Sequence, residues 1–409
     1  MHWPTKKLGE ICKIRTGKKD VDEGNPEGPY PFFTCSREIT YSDTYSFDTE
    51  AILIAGNGDV GNTKIYKGKF EAYQRTYVLD GFQDNIKYIY YYLIGNLKKI
   101  LKKLGSTMPY IRKGDLETFE IPLPPLPIQQ KIVKILDTIQ SAIDIQEKII
   151  EKTKELKKSL MNLLFHYGVA GLRVKELISS QVGKLKSSEL EKFGLKLKKT
   201  EIGEIPEHWE VVRLGEVVND LTNGFPAGER DEMGILQLRM DSITSDGKIN
   251  LNAGVKIPKK KGWEIYLLQK GDILFNNTNS IDLVGKTALY KGEFKECIFS
   301  NHITRIRVNP HKTLPEWIFY ILFRYWELKL FKNLAVRRVG QADISRTTLK
   351  NIKIPFPPLS EQQEIAEILQ TIDQKIDIEK RKKELYEELF KTLLNKIMSQ
   401  EIDVEKIEV

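Results

Sequence analysis

The fold is decided by a stretch of sequence that occurs twice, as IPLPPLPIQQKIVKILDTIQSAIDIQEK (121–148) and as IPFPPLSEQQEIAEILQTIDQKIDIEKR (354–381). The copies align without a gap at an offset of 233, and 15 of the 28 positions are identical. Such self-similarity indicates a duplicated structural unit. Each copy opens with a Pro-rich segment, which ends a strand or helix because proline has no amide hydrogen to donate.

An apolar repeat with alternating steps of four and three follows each Pro-rich segment and predicts two coiled-coil helices. Seven of ten seam positions are apolar in the first copy and eight of ten in the second, sustained over about five heptads. Pro127 suits a helix start, and Ser360 with Gln363 has the spacing of a capping box. The seam residues predicted to pack helix against helix are Ile132, Leu136, Ile139, Ile143, Ile150, Leu160, Ile365, Leu369, Ile372, Ile376, Phe390 and Leu393.

Weaker repeats upstream show that the duplication includes the preceding domain. Leu8-Gly9-Glu10 recurs as Leu214-Gly215-Glu216, and GNTKIYKGKF (61–70) matches GKTALYKGEF (285–294) at six of ten positions. The runs between them are rich in Val, Ile, Tyr and Phe and are broken by Gly, Asn and Asp, which is typical of strands and turns. Apolar runs at 88–104 and 315–331 predict helices.

The predicted fold is α+β, with two similar mixed α/β domains separated by a pair of long antiparallel coiled-coil helices in a pseudo-two-fold internal repeat. The alternative is a pair of amphipathic helices that each lie on their own domain. The expected boundaries are a first domain over 1–126, a central helix over 127–165, a connecting segment over 166–208, a second domain over 209–359 and a C-terminal helix over 360–409.

The composition is that of a globular protein with more than one domain. The 409 residues are 41% hydrophobic, and no run of about 18 apolar residues exists that could span a membrane. The first residues lack the apolar core of a signal peptide, and the three scattered cysteines fit neither a disulfide framework nor a metal knuckle. We therefore expect a cytoplasmic protein that makes no membrane contact.

Positive charge is concentrated in the first three quarters of the chain. The net charge is +2 over 1–126, +4 over 127–209, +7 over 210–359 and −5 over 360–409. A basic surface attracts phosphate irrespective of sequence. Two related domains at opposite ends of an antiparallel helix pair would share the two-fold symmetry of duplex DNA, on which half-sites one turn apart lie about 34–36 Å from each other. A bipartite DNA site is therefore expected, and it should be asymmetric because the domains differ in sequence.

The duplicated Pro-rich stop followed by PPL-x-x-QQ-x-I-x-x-I-L-x-x-I resembles the specificity subunit of type I restriction–modification systems. The segment 164–218, which begins LFHYGVAG and contains KKTEIGEIPEHWEVVRLGEV, is also similar to the central region of that family. The resemblance implies that each domain is a target recognition domain reading one half-site of double-stranded DNA. It also implies that the helices dock two DNA methyltransferase subunits and that nuclease-translocase subunits join the complete complex.

Four loops in each domain are candidates for reading DNA, because they are polar, contain glycine and differ between the halves. TGKK (16–19), GNGDVGNTK (56–64), AYQRTY (72–77) and STMPYIRK (106–113) correspond to TNGFPAGER (222–230), NNTNSIDLVGK (276–286), SNHITR (300–305) and RRVGQADISR (337–346). Some of these loops could instead be ordinary solvated turns. The candidate DNA-binding residues are Lys18, Lys19, Asn57, Asn62, Lys64, Gln74, Arg75, Tyr110, Arg112, Lys113, Asn223, Arg230, Asn276, Asn277, Asn279, Lys286, Asn301, His302, Arg337, Arg338 and Gln341.

Catalytic motifs are missing from the sequence. It has no Gly-rich S-adenosylmethionine loop, no Asp/Asn-Pro-Pro-aromatic tetrapeptide, no phosphate-binding GxxxxGK[ST] loop and no cluster with metal-ligand spacing. We therefore expect a non-catalytic subunit without a cofactor, a catalytic residue or a metal. The alternative outside DNA recognition is a coiled-coil scaffold whose duplicated domains bind proteins.

Overall fold

The computed structural model describes residues 3–97, 110–173, 195–226 and 228–407. It divides into two compact units. The first unit comprises Met1–Ile150 and Ile378–Val409, and the second comprises Glu151–Asp377. The predicted connecting segment at 166–208, the predicted helix at 88–104 and the loop at 106–113 lie partly outside the described residues.

The first unit is built on a six-stranded sheet. The strands of this unit, inside and outside the sheet, are β1 (Thr5–Lys7), β2 (Lys13–Thr16), β3 (Tyr30–Phe33), β4 (Thr40–Ser42), β5 (Phe47–Ala55), β6 (Thr63–Ala72), β7 (Thr76–Asp80) and β8 (Glu120–Pro122). Its shorter helices are α1 (Leu8–Ile11), α2 (Ile86–Asn96) and α3 (Lys113–Glu117). The sheet order is β2-β7-β5-β6-β3-β4, and β1 pairs with β8 separately. The apolar run Ala51–Ala55 forms the end of β5, where every residue is buried, as expected for a strand covered on both faces.

The second unit repeats this topology in more, shorter strands. Its strands are β9 (Leu197–Thr200), β10 (Gly203–Pro206), β11 (Glu210–Arg213), β12 (Val218–Asn223), β13 (Ile235–Leu238), β14 (Val255–Ile257), β15 (Ile273–Asn276), β16 (Thr278–Asn279), β17 (Thr287–Leu289), β18 (Cys297–Phe299), β19 (Ile303–Val308), β20 (Val336–Arg338), β21 (Gln341–Asp343) and β22 (Lys353–Phe356). The order β12-β19-β15-β17 corresponds to β2-β7-β5-β6 of the first unit.

Helices complete the chain. The remaining α-helices of the described residues are α4 (Leu126–Tyr167), α5 (Ala170–Arg173), α6 (Leu214–Val217), α7 (Pro315–Glu327), α8 (Leu330–Leu334), α9 (Arg346–Lys350) and α10 (Leu359–Met398). The single helix predicted at 315–331 is confirmed over Pro315–Glu327 and wrong only in its last residues. It breaks between α7 and α8, where Lys329 takes a left-handed backbone conformation with φ of 59°.

The two ends of each domain are joined in the same way. β1 pairs antiparallel with β8, and β11 pairs antiparallel with β22. The first residue of the short helix then donates its amide to the chain before the last strand, from Leu8 to Phe119 and from Leu214 to Ile352, at 2.8 Å in both cases. The recurring Leu-Gly-Glu motif therefore marks the helix that closes each domain.

The long helices α4 and α10 run antiparallel within each unit. In the first unit Lys383 forms an ion pair with Glu147, and Lys131 donates to the carbonyl of Glu405. In the second unit Lys157 forms a 2.7 Å ion pair with Asp373, and the amide of Val169, just after α4, donates to the carboxylate of Glu361 at 3.1 Å. Rising numbers on α4 meet falling numbers on α10, so the antiparallel pairing predicted from the repeat is present in both units.

The predicted seam is largely buried. Among its twelve residues only Ile372, Phe390 and Leu393 are partly exposed. The capping box predicted for the second helix is wrong, because α10 begins at Leu359 and Ser360 lies inside its first turn. Gln363 instead donates its side-chain amide to Glu367.

Candidate nucleic-acid interface

The four candidate loops of the first unit are hydrogen-bonded to one another. Gly17 donates its amide to the carbonyl of Thr76, Gln74 donates to Lys19, and Gly56 donates to Arg75. Ile111 in turn donates its amide to the carbonyl of Gly56 at 2.9 Å. Segments separated by up to 94 positions in the sequence, from Gly17 to Ile111, therefore form one continuous edge of the sheet.

The loops of the second unit are joined by the same bonds. Gly224 donates its amide to Ile303, Asn301 donates to Phe225, and Asn277 donates to His302. Ile344 donates its amide to the carbonyl of Asn277 at 2.8 Å, as Ile111 does to Gly56. Each of the four bonds in the first unit has its counterpart in the second, so the loops share a backbone frame although their side chains differ.

Glycine is required at one position of this frame. A Cβ atom on Gly17 would overlap the carbonyl oxygen of Ala72, and a Cβ atom on Gly224 would overlap that of Phe299. The loop after β2 or β12 thus passes directly against the neighbouring backbone. Both glycines lie within loops that were identified from the sequence. A glycine in a polar loop is the sequence signal of such a close backbone approach, because any other residue would add a Cβ atom.

Six of the ten candidate side chains in the first unit are exposed: Lys18, Gln74, Arg75, Tyr110, Arg112 and Lys113. Some of these already have partners on the surface. Gln74 donates to the carboxylate of Asp20 at 3.0 Å, and the guanidinium of Arg112 lies 4.9 Å from the centre of the Tyr110 ring. The pair of Tyr110 and Arg112 presents a flat cationic surface of the kind that stacks on bases or contacts phosphate.

The other four candidates of the first unit, Lys19, Asn57, Asn62 and Lys64, are half-buried. Lys19 donates to the hydroxyls of Ser42 and Thr44 at 2.9 and 2.7 Å. Asn62 and Lys64 both donate to the carbonyl of Ser36, and burial lowers the pKa of Lys64. These contacts hold the loop at 56–64 against the loop at 34–37. The sequence did not single out 34–37, because nothing in its pattern marks it as a neighbour.

The candidate side chains of the second unit fall into exposed, half-buried and buried groups. Asn223, Arg230, Asn301, Arg337, Arg338 and Gln341 are exposed, and Asn279 and His302 are half-buried. Asn276, Asn277 and Lys286 are buried. The buried three therefore do not present their side chains on the surface of the free protein.

Each buried candidate makes contacts inside the domain. The side-chain amide of Asn277 donates to the hydroxyl of Thr304 at 2.9 Å, and that hydroxyl donates to Asn223 at 2.8 Å. Asn276 donates to the carbonyl of Met240 at 2.8 Å, and the ammonium of Lys286 donates to the carbonyl of Ile243. Burial lowers the pKa of Lys286. A structural role in positioning the loops accounts for all three, and their direct contact with DNA stays a prediction that their burial disfavours.

Among the described residues no group of His, Cys, Asp and Glu side chains is placed to hold a metal ion. Within the same ranges no helix is both long and apolar enough to cross a bilayer.

Comparisons with known proteins agree on one family. Residues 1–155 and 206–388 match the model of the type I restriction modification DNA specificity domain. The chain is 31% identical to the specificity subunit of the type I restriction enzyme EcoDI from Escherichia coli, over 89% of this chain and 79% of that protein. It is 30% identical to the MjaVIII specificity subunit from Methanocaldococcus jannaschii, over 99% of this chain and 94% of that protein.

Solved structures share the fold. The S subunit of a type I restriction–modification system from M. genitalium matches with a TM-score of 0.58 at 18% identity, over 97% of this chain and 96% of that chain. A second chain, from a structure of type I R-M complex assembly, matches with a TM-score of 0.51 at 17% identity, over 97% of both chains. The chain belongs to the type I restriction–modification DNA specificity family.

Proposed function

We propose that this chain reads a bipartite, asymmetric site on double-stranded DNA, with one half-site for each target recognition domain. We take residues 1–126 and 209–359 as those domains and 166–208 as the connection. The helices are those predicted at 127–165 and 360–409, although the second of them, α10, ends at Met398 and not at the predicted 409. In this proposal the chain acts in the cytoplasm as the subunit that selects DNA for separate enzymes.

The observation that carries the proposal is the repeated backbone frame of the loops. The backbone hydrogen bond from Ile111 to Gly56 has its counterpart in the bond from Ile344 to Asn277, yet the loops that these bonds join differ in their side chains. A constant frame with divergent side chains suits two surfaces that dock on the same polymer and read different bases.

Charge on the exposed candidates supports DNA as the ligand. Lys18, Arg75, Arg112, Lys113, Arg230 and Arg337 are exposed cations on the loops. Lysine and arginine bind phosphate, whereas arginine, asparagine and glutamine also pair with base edges in the major groove. We assign Gln74, Arg75, Asn301 and Gln341 to base contacts and the lysines to phosphate contacts.

Binding of the full chain to a random duplex library, followed by sequencing of the bound DNA, tests the proposal. We expect two dissimilar half-sites at a fixed spacing, and an affinity that falls steeply between 50 and 200 mM salt, by on the order of a thousandfold for six phosphate contacts. Affinity indifferent to salt, with no enriched sequence, would favour the scaffold instead.

We further propose that the helix pair sets the spacer between the half-sites. Deleting 143–149 together with 376–382 removes one heptad from each helix and keeps the apolar seam in phase. The expected spacer is shorter by about 10 Å, or about three base pairs, with both half-sites unchanged. Changed half-site sequences with an unchanged spacer would refute the proposal that the helix pair sets the spacer.

The helices are also the proposed docking site for two DNA methyltransferase subunits, with nuclease-translocase subunits joining the complete complex. An apolar strip on α10 stays exposed after the helices have paired, formed by Leu385, Tyr386 and Leu389. Phe390 is instead packed against Tyr91 with ring centres 5.7 Å apart, and Lys391 is exposed beside the strip.

Co-purification with methyltransferase subunits of a type I system tests this surface. Leu389→Asp should abolish co-purification, because it places a charge in an apolar contact. Lys350→Glu, an exposed substitution on α9 of the second unit, is the control and should co-purify normally. Retained assembly with Leu389→Asp would exclude the strip.

A further inference from the structure

A two-stranded hairpin of β20 and β21 projects from the second unit. Arg337 pairs with Ala342 and Arg338 pairs with Gln341, which leaves Val339 and Gly340 as the turn. Gly340 has a φ of 76°, the conformation that glycine adopts readily, and a Cβ atom there would meet no neighbouring heavy atom within 4 Å. The turn therefore stands clear of the described parts of the chain.

Val339 at the tip of this hairpin is fully exposed, with a relative exposure of 105%. A single exposed apolar side chain is ordinary by itself. Turn positions, however, favour Gly, Pro, Asn, Asp and Ser, and a β-branched residue contributes nothing to the turn. Folding of the hairpin therefore does not explain why a valine stands at position 339.

Arg338 and Gln341 flank the tip. As directly opposed residues of an antiparallel pair, they extend from the same face of the hairpin. Both are exposed, and Arg338 forms an ion pair with Asp343. The end of the hairpin therefore carries one apolar group between a cationic and an amide side chain.

The base of the hairpin is fixed. Ala342 is wholly buried in the core of the second unit, and Asp343 accepts a 2.9 Å hydrogen bond from the hydroxyl of Thr278. β16 adds a third strand beside β21, and the amide of Ile344 is bonded to Asn277 in the frame of the loops. The tip is thus an exposed extension of a rigid support, which keeps the entropic cost of binding low.

We propose that this hairpin enters the major groove and that Val339 contacts the 5-methyl group of a thymine, while Gln341 reads an adjacent base pair. The inference rests on the proposed function and adds a base preference at one position of one half-site. A major groove about 12 Å wide admits a two-stranded ribbon, and the thymine methyl is the apolar group displayed on its floor. A glutamine beside it can pair with adenine through both polar atoms of its amide.

The test compares two random duplex libraries bound by the full chain, one with thymine and one with uracil in its place. Uracil pairs as thymine does but lacks the methyl group. The wild-type chain should prefer an A·T pair at one position of one half-site, and the uracil library should weaken that preference about three- to fivefold, the value of one buried methyl group. Val339→Ala should show the weakened preference in both libraries, with the other half-site unchanged.

Val336→Ala is the matched control, because it makes the same change at the base of the same hairpin. It should keep the wild-type response to uracil. A thymine preference that survives in Val339→Ala, or a wild-type selection that ignores the methyl group at every position, would overturn the inference while enriched half-sites leave the proposed function standing. Failure to enrich any sequence from either library would overturn both.

Discussion

The side-chain amide of Gln362 donates a 2.9 Å hydrogen bond to the carbonyl oxygen of Pro357, in the Pro-rich stop just before α10. Its side-chain oxygen accepts from the hydroxyl of Thr313 at 2.8 Å and from the amide of Leu314 at 3.1 Å. Gln129 makes the equivalent bond to Pro124 at 2.9 Å and accepts from Asn85 at 3.0 Å. The first glutamine of the repeated QQ pair thus ties the start of each long helix to the domain before it.

Replacing Gln362 with leucine should lower the free energy of unfolding by about 2–3 kcal/mol, because buried donors and an acceptor lose their partners. Gln363→Leu, the same substitution at the exposed neighbouring position, should change it by less than about 0.5 kcal/mol. Denaturant unfolding of both variants measures the difference. Equal losses in the two variants would contradict this role for Gln362.

Gln146 and Glu379 form a buried hydrogen-bonded pair between the long helices, in the first unit. Gln146→Leu should cost about 3 kcal/mol, because it leaves a buried carboxylate with fewer donors. The double variant Gln146→Leu/Glu379→Leu should recover most of that loss, since two apolar side chains suit the seam. A double-mutant cycle in urea gives the coupling, and additive losses would show that the pair does not act as a unit.

Gly17→Ala and Gly224→Ala should each destabilise the protein by about 1–3 kcal/mol or more, because the new Cβ atom meets a backbone carbonyl oxygen that cannot move aside cheaply. Gly114→Ala is the control: it lies in α3 with no heavy atom within 4 Å of the added group, so we expect no loss. Thermal unfolding distinguishes the three variants. A tolerated alanine at position 17 or 224 would mean that the loop does not pass as close as described.

Burial raises the pKa of the Cys12 thiol to about 12, with a further contribution from the charge of Asp80. Burial likewise raises the pKa of Cys297 to about 11. Since the thiolate is the reactive form, alkylation at pH 8 should be slower in the folded chain than in urea, on the order of a hundredfold for Cys297 and a thousandfold for Cys12. Both rates should rise as the pH approaches these values. Mass spectrometry after timed iodoacetamide treatment follows each residue, and labelling at equal rates in the folded and unfolded chain would contradict the shifts.

The duplication made the helices and the family predictable from sequence. The heptad seam appears in the structure as buried Ile132, Leu136, Ile365 and Leu369, because a 3.5-residue repeat of apolar positions has few alternative placements. The prediction of a non-catalytic specificity subunit is confirmed by the family to which the chain belongs.

Details of the loops were less predictable. Asn276, Asn277 and Lys286 lie in a polar, Gly-containing stretch that is typical of a solvated turn, but the chain buries them. Their side-chain nitrogens donate to backbone carbonyls and a hydroxyl distant in sequence. Such long-range partners leave no local pattern. The break at Lys329 was missed for the same reason, since the apolar run continues through it.

Within each domain the first and last strands are immediate neighbours, with Thr5 opposite Pro122 and Glu210 opposite Phe356. The segment between these two strands therefore begins and ends at one place in the domain. A different segment with the same first and last strands would leave the start of the following helix in the same position. On the proposed function, we expect exchange of a whole domain to change the DNA preference as point substitution would, with the helices left unaltered.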